Sequence, residues 1–452
     1  MTDRIRSAIV PAYILLCLVL GGSVQGIYAN AALQLIGLAI IAWALIAGHQ
    51  APLSRPVRGM FLLLAGLLLL FAIQLVPLPS VIWTRLPGRE AILDGYALLG
   101  VPPPWLPLSV TPYETIATFL TLVPPVAVVL PMVLIRANRP AWIAAAILVG
   151  AALAVLLGAL QVSDSTDPQS PWYLYSFSNV GSAVGFFANS NHMAALLVIS
   201  VPLLVALIAH VRTRARRTKA RSSIFVIGAA GLVVLAVGIV LNGSTAILLL
   251  LVPVTAVSIA LLVPNRSSWK VLGVIAGVAA ISILAVYLSP LQQRLGGANA
   301  SSVAGRERMW STTARAAVDH APFGSGIGSF RTAYPLYEKP EEVTKTVVNH
   351  AHNDYLEIAM ETGFPGILLL VLFLAWWVQR ARAMWRPQEG YLFGQAAVIV
   401  SAVLLIHSIV DYPLRTAALS SIMGAALALM AEPRRNRSGK AEDLWSTRHI
   451  RI

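Results

Sequence analysis

The residues from His350 to Gly366, HAHNDYLEIAMETGFPG, bring His350, His352, Asn353, Asp354, Glu357 and Glu361 together in a chain that is otherwise strongly apolar. Histidine exchanges a proton near neutrality, with an unperturbed pKa of about 6.5, so imidazoles among carboxylates are candidates for general base work. On a helix, His350, Asp354, Glu357 and Glu361 share one face at spacings of three and four, and His352, Leu356 and Ala359 share another. Asn353 or Asp354 is placed to cap a helix that begins near Tyr355, and Gly363, Pro365 and Gly366 are placed to break it. The apolar run after the break, Ile367 to Val378, falls short of the roughly 20 residues that a bilayer needs, which puts the polar segment at the membrane mouth. A polar helix cap at a membrane edge fits the same residues equally well.

Other residues could join this chemistry. Gly305-Arg306-Glu307-Arg308-Met309-Trp310 is expected to open an amphipathic helix that runs to about Asp319, with Ser301 or Ser302 as its cap. Arg306 and Trp310 then lie on one face, and Arg308, Ser311 and Arg315 on another. Guanidinium forks bind two phosphate oxygens at once. His407, Asp411 and Arg415 fall at i, i+4 and i+8, with Pro413 turning Arg415 toward the membrane mouth. The alternate glycines of PFGSGIGSF, 322–330, are expected to be turns, because no strand precedes them and no Lys-Ser/Thr follows.

The elements that must position these groups are membrane helices. The chain has 452 residues, 57% of them hydrophobic and 12% charged, which indicates a polytopic membrane protein of one domain, 1–452, and excludes a soluble enzyme. Twelve apolar spans are predicted, near 8–23, 31–48, 59–76, 113–135, 141–160, 192–210, 222–241, 244–263, 271–289, 356–379, 391–411 and 415–431. Arg4 and Arg6 before the first span and Ala29-Asn30-Ala31 after it resemble a signal peptide, but the long gap between them favours an uncleaved helix. The chain carries 33 basic residues against 19 acidic ones. With the N-terminus in the cytoplasm, most of the basic residues fall inside, so the excess is a topology signal rather than a nucleic-acid surface. Three loops face outward: 77–112, interfacial and partly amphipathic; 161–191; and 289–355, which leads into the histidine segment. A basic tail, 432–452, stays inside. The single cysteine, Cys17, excludes an intramolecular disulfide.

FANSNHMAA (187–195), GRERMW (305–310), PFGSGIGSF (322–330), HAHNDYLEIAMETGFPG (350–366) and HSIVDYPLR (407–415) occur in an order that resembles the O-antigen ligase and O-antigen polymerase superfamily. QLVPLP (74–79) and LPGRE (86–90) fit the same group, so the likeness covers about residues 70 to 420. It implies an all-α glycosyltransferase-C-type bundle in the bacterial inner membrane, with both termini cytoplasmic and an outer cavity open sideways to lipid. It implies periplasmic, inverting transfer of a glycan from undecaprenyl pyrophosphate to an acceptor hydroxyl, with no metal, cofactor or nucleotide sugar. The carboxylates Asp319, Glu338, Glu341 and Glu342 show no compelling metal-ligand pattern either.

His352, in His352-Asn353-Asp354-Tyr355-Leu356, matches the family's histidine before Asn-x-x-Leu and is the expected base, oriented by His350 or Asp354. Arg306 matches the family's loop arginine and is the first candidate for the donor pyrophosphate, followed by Arg415 and Arg308. Asn189, Asn191 and His192 match the asparagine-rich motif, where glycan hydrogen bonding and helix capping both remain open. Asn353, Tyr355 and Glu357 are expected to bind glycan or to support the site. Many members carry Ser-Arg where this chain has Asn242-Gly243-Ser244-Thr245, so another arginine, Arg415 among them, would supply that charge or the donor is held differently. Transfer onto a second carrier-linked glycan, as in a polymerase, is slightly preferred over ligation to lipid A-core or another acceptor. A chain-length regulator or flippase is the implied protein partner, beside membrane lipid. A twelve-helix transporter is the reading from another class, and the placement of ionisable groups in outer loops argues against it.

Overall fold

The computed structural model describes residues 3–48, 52–136, 139–164, 170–214, 218–261, 291–343, 347–385 and 392–431. The chain is almost wholly helical. In order the helices are α1 (Asp3–Leu20), α2 (Ile27–Ala47), α3 (Arg55–Leu75), α4 (Ser80–Trp83), α5 (Glu90–Leu99), α6 (Pro112–Leu120), α7 (Val123–Leu130), α8 (Pro140–Ser163), α9 (Ser190–Arg214), α10 (Thr218–Asn242), α11 (Thr245–Ala260), α12 (Leu291–Asp319), α13 (Phe330–Ala333), α14 (Asp354–Met384), α15 (Leu392–His407) and α16 (Ala417–Ala431). Among the described residues, six stretches are long and apolar enough to cross a membrane: Ile27–Ala47, Arg55–Leu75, Pro112–Ile135, Pro140–Ser163, Ser190–Thr213 and Asp354–Met384. The shorter helices α15 and α16 are equally apolar, and the chain is a multi-pass membrane protein.

Helix α9 is the axis of the bundle. Residues 192–206 are buried without interruption, and α8, α10, α11 and α15 pack around it. A helix that is apolar on every side lies in a core or in lipid, and here neighbouring helices cover it. Helix α16 fills the adjoining position against α1, α7 and α15. Helix α14 stands beside α3 and α12 at the margin of this core.

Several sequence expectations are revised. The ninth predicted span, 271–289, and the tail, 432–452, lie outside the described residues. The fourth span is not one helix: it divides at Thr121 and Leu122 and closes in a π turn over Pro131–Ile135, because prolines at 124, 125 and 131 remove ladder donors. The GRERMW helix begins at Leu291, so Ser301 and Ser302 fall inside it rather than at its start. Glutamine, leucine and alanine in 291–304 favour helix enough to carry it through Gly296 and Gly297, at about 1 kcal/mol per glycine. Helix α15 ends at His407, so His407, Asp411 and Arg415 do not share a helical face.

Helix α14 positions the polar segment through a defined break. Asn353 caps it, its Oδ1 accepting from the Tyr355 and Leu356 amides at 3.1 Å. Gly363 then adopts φ 58°, ψ −148°, and the helix resumes toward Met384. Pro365 has no N–H to offer the Glu361 carbonyl, which instead accepts from Gly326 N at 2.9 Å and from Gln74 Nε2 at 3.0 Å. The Met360 carbonyl accepts from Ser325 N at 2.9 Å, and Phe364 N donates to Pro322 O at 2.8 Å. The glycine-rich loop thus supplies the hydrogen bonds that the broken helix lacks. Gly324, Gly326 and Gly328 all have positive φ and press on α14, Ser109 and α6. The loop 77–112 is clipped by the antiparallel pair Pro77–Leu78 with Leu106–Pro107 and held to the glycine loop by Val110 N donating to Ser325 O at 2.8 Å.

Gly363→Ala should therefore destabilise the protein by about 1–3 kcal/mol or more, because its Cβ meets the Pro322 carbonyl at an unfavourable φ. A thermal transition in detergent equal to that of wild type would contradict the role given to this break.

Candidate active site

Asp411 lies at the centre of the polar residues. It sits in the turn between α15 and α16 with no exposed surface. Asn191 Nδ2 donates to Oδ2 at 2.6 Å, and Asn189 Nδ2 lies 3.4 Å from each oxygen. Three imidazoles converge on the same carboxylate: His352 Nδ1 at 3.3 Å, His192 Nε2 at 3.9 Å and His407 Nε2 at 4.0 Å. These are ion-pair distances rather than aligned hydrogen bonds, and all three nitrogens lack a hydrogen bond among the described residues. Burial by itself would raise the Asp411 carboxyl; the His352 contact and the charges of His192 and His407 hold it well below the usual carboxylate range.

The asparagines serve two purposes. Asn189 Oδ1 accepts from Asn191 N at 2.9 Å at the start of α9, while the amide nitrogens of both residues face Asp411. Asn191 Oδ1 also accepts from Ser244 Oγ at 2.9 Å, which ties α9 to the start of α11. Tyr412 is a wedge among the histidines, with ring centroids 4.3 Å from His350, 4.9 Å from His352 and 5.1 Å from His192. Burial pushes its phenol up to about 12, with the Asp411 charge adding to the effect.

His352 lies just before α14 rather than in it, with φ 50°. A non-glycine residue at positive φ is strained and persists only where its surroundings hold it. Here the Trp310 indole donates to the His352 carbonyl at 3.3 Å, and the Asn353 cap follows at once. The ring stays partly open, with the side chain 24% exposed. Its Nδ1 faces the Asp411 carboxylate.

A second network stands beside the first. Arg415, in the short 3-10 turn Pro413–Arg415, reaches Asp354 Oδ1 from Nε at 3.0 Å, Glu357 Oε1 at 3.1 Å and Glu361 Oε2 at 3.7 Å. Burial disfavours the guanidinium, but Glu357, Glu361 and Asp354 outweigh it and hold Arg415 above its ordinary value. Glu357 also accepts from His350 Nδ1 and from Ala351 N, each at 2.9 Å. Ser408 Oγ donates to Asp354 Oδ2 at 2.9 Å. The expected face of His350, Asp354, Glu357 and Glu361 therefore exists as a set of contacts, although His350 precedes the helix. It carries Arg415 and not His352. The carboxylate against His352 is Asp411, in place of the expected Asp354 or His350.

The remaining candidates separate. Arg306 shares a face with Trp310, and its charge acts on His407, so it lies toward the Asp411 centre. Arg308 is exposed on another face of α12, where its charge acts on Tyr334. Tyr355 donates to the Leu405 carbonyl at 2.7 Å and ties α14 to α15. Asn353 is spent on its cap. The residues that spacing alone undervalued are Asp411, Tyr412 and Ser408. The available signal was an acid four residues after a histidine in an otherwise apolar stretch, since an intramembrane ionisable group is costly unless it has a function.

Fold and site together define a multi-pass membrane protein with an imidazole–carboxylate centre at one end of its helical bundle. Residues 230–371 match the family model described as O-antigen ligase. The match supports membership of the O-antigen ligase and polymerase superfamily, and with it glycosyltransferase activity of that type. It contains Arg306, His350, His352 and Glu357, whereas Asn189, Asn191, Asp411 and Arg415 reach the site from outside it. No curated protein matches the chain.

Removing Arg415 strands three packed carboxylates, so Arg415→Ala should cost about 3–5 kcal/mol. The expected observation is loss of monodisperse folded protein in detergent; recovery and thermal stability equal to wild type would rule out the structural role.

Proposed function

We propose that the chain transfers a glycan from undecaprenyl pyrophosphate to an acceptor hydroxyl, with inversion, on the periplasmic side of the bacterial inner membrane. The observation that carries this reading is the His352–Asp411 pair, beside an α12 face that bears Arg306. His352 Nε2 takes the proton of the acceptor hydroxyl as its oxygen attacks the anomeric carbon. The bond from that carbon to the diphosphate oxygen breaks on the opposite side, and its electron pair leaves with undecaprenyl pyrophosphate. Asp411 fixes the tautomer and balances the imidazolium. Arg306 stabilises charge gathering on the diphosphate, as an arginine fork can without a metal. Catalytic hydrogen bonds that are loose in a free site tighten when substrate is bound, which fits the 3.3 Å separation.

Arg415 and Glu357 belong to this mechanism as positioning residues, holding His350 and the start of α14. Arg308 offers a further contact for the donor or acceptor from the exposed face. The acceptor is a second carrier-linked glycan in the preferred reading, which makes the enzyme a polymerase of glycosyltransferase-C type working beside a flippase and a chain-length regulator. The description of the matching family model as O-antigen ligase favours the second reading, in which lipid A-core is the acceptor. The chemistry at the carbon is the same in both.

Purified protein supplied with a carrier-linked donor tests both points. Wild type should elongate a carrier-linked acceptor more readily than it glycosylates lipid A-core, and His352→Ala and Arg306→Ala should each lose roughly 10²-fold or more of transfer while remaining folded. Near-normal turnover by either variant removes its assigned role, and preference for lipid A-core reverses the choice of acceptor.

A further inference from the structure

The segment between α3 and α6 carries an apolar tip that is left open among the described residues. Helix α5 has no buried residue. Its first turns carry Glu90 and Asp94, and its C-terminal end is apolar. Leu98 is 89% exposed and Leu99 73%; beyond them Val101 is also open, and Trp105 is 66% exposed. No charged residue occurs between Asp94 and Glu114. Charge thus changes along the helix axis rather than around it. An open apolar patch of this kind marks a surface that something else covers.

Two observations point to lipid. The first is continuity. The pair of Pro77–Leu78 with Leu106–Pro107 holds the base of the segment where α3 ends and α6 begins. Both helices belong to stretches long and apolar enough to cross a membrane, and Ile73, Tyr113, Ile116 and Phe119 are exposed on them. The tip therefore starts at the level where two spans leave the membrane. Gln74, one residue before the end of α3, donates to the Glu361 carbonyl, which sets this level on the Asp411 side of the bundle. The second observation is the backbone. Lipid offers nothing to an unpaired N–H, so a segment that enters it must bring few. Gly100 N and Val101 N donate to Ala97 O and Tyr96 O at 3.1 and 3.3 Å. Pro102, Pro103 and Pro104 have no N–H, and the Pro104 carbonyl accepts from Trp83 Nε1 at 2.8 Å. A tip facing water would not need its donors removed.

We infer that residues 98–105 insert into the leaflet nearest the Asp411 centre, with Leu98, Leu99 and Val101 reaching the acyl boundary and Trp105 lying among the headgroups. Apolar burial drives the insertion, and lipid charge does not. The same segment holds the glycine loop through Val110 and Ser325, so the leaflet becomes one support of the break in α14. This anchoring is independent of the reaction proposed above.

Spin labels observe this directly in full-length protein reconstituted into phosphatidylcholine bilayers. Cys17 is the single native cysteine, so Cys17→Ser, or Cys17→Ala where serine unsettles the core, provides the background. One label is attached at Leu98→Cys, at Trp105→Cys or, as the aqueous reference, at Asp94→Cys. Relaxation by oxygen relative to a water-soluble nickel chelate should be roughly fivefold or more higher at 98 and 105 than at 94. Equal ratios at the three positions overturn the insertion. A low ratio at 98 with spin–spin broadening assigns the tip to a second copy of the chain and overturns it as well. The high ratio should persist at high salt and in bilayers without anionic lipid, and a requirement for anionic lipid overturns the apolar cause.

Discussion

A carboxylate with no exposed surface, at the end of a hydrophobic bundle, is the constraint that the site depends on. Removing such a charge from water costs several kcal/mol unless other groups pair with it and hydrogen-bond it. Asp411 meets that cost with two asparagine amides, its own following amide and three imidazoles drawn from α9, α15 and the 347–353 loop. Segments far apart in sequence are thereby fixed to one point. The asparagine-rich motif and the histidine motif meet because each supplies donors to the same acid.

Arg415 performs the reciprocal task. A buried cation needs anions, and α14 presents three on successive turns. The two networks are joined through Tyr412 and His350, so the positions of His352 and of α14 are set together. The break at Gly363 completes the arrangement. It lets the polar turns of α14 lie over the glycine loop while the apolar turns continue alongside α3, and the loop's amides replace the bonds lost at Pro365. Strain at His352 is held by neighbours on both sides.

Local signals in the sequence showed much of this. Apolar runs mark the helices because lipid tolerates little else, and α8, α9 and α14 lie where hydropathy placed them. The Asn353 cap and the Gly363–Pro365 break were also legible, since both depend on residues a few positions away. What escaped was set by distant contacts. Gln74 braces the Glu361 carbonyl across 287 residues, and no periodicity records that. The start of α12 escaped because Ser301 and Ser302 stand before Gly305-Arg306 as caps would, while the helix begins at Leu291. His407, Asp411 and Arg415 have helical spacing, yet the helix ends at His407 and the turn sends the acid and the arginine to different partners. Their spacing misplaced them.

In the proposed mechanism Asp411 directs one nitrogen of His352 and leaves the other to take the proton. Nitrogen-15 NMR of histidine-labelled protein, with His352 assigned by substitution, observes that directly. The proton should reside on Nδ1 at neutral pH in wild type, and Asp411→Asn should shift it toward Nε2. A proton on Nε2 in wild type, or a tautomer indifferent to Asp411→Asn, would contradict the pairing from which the rest is built.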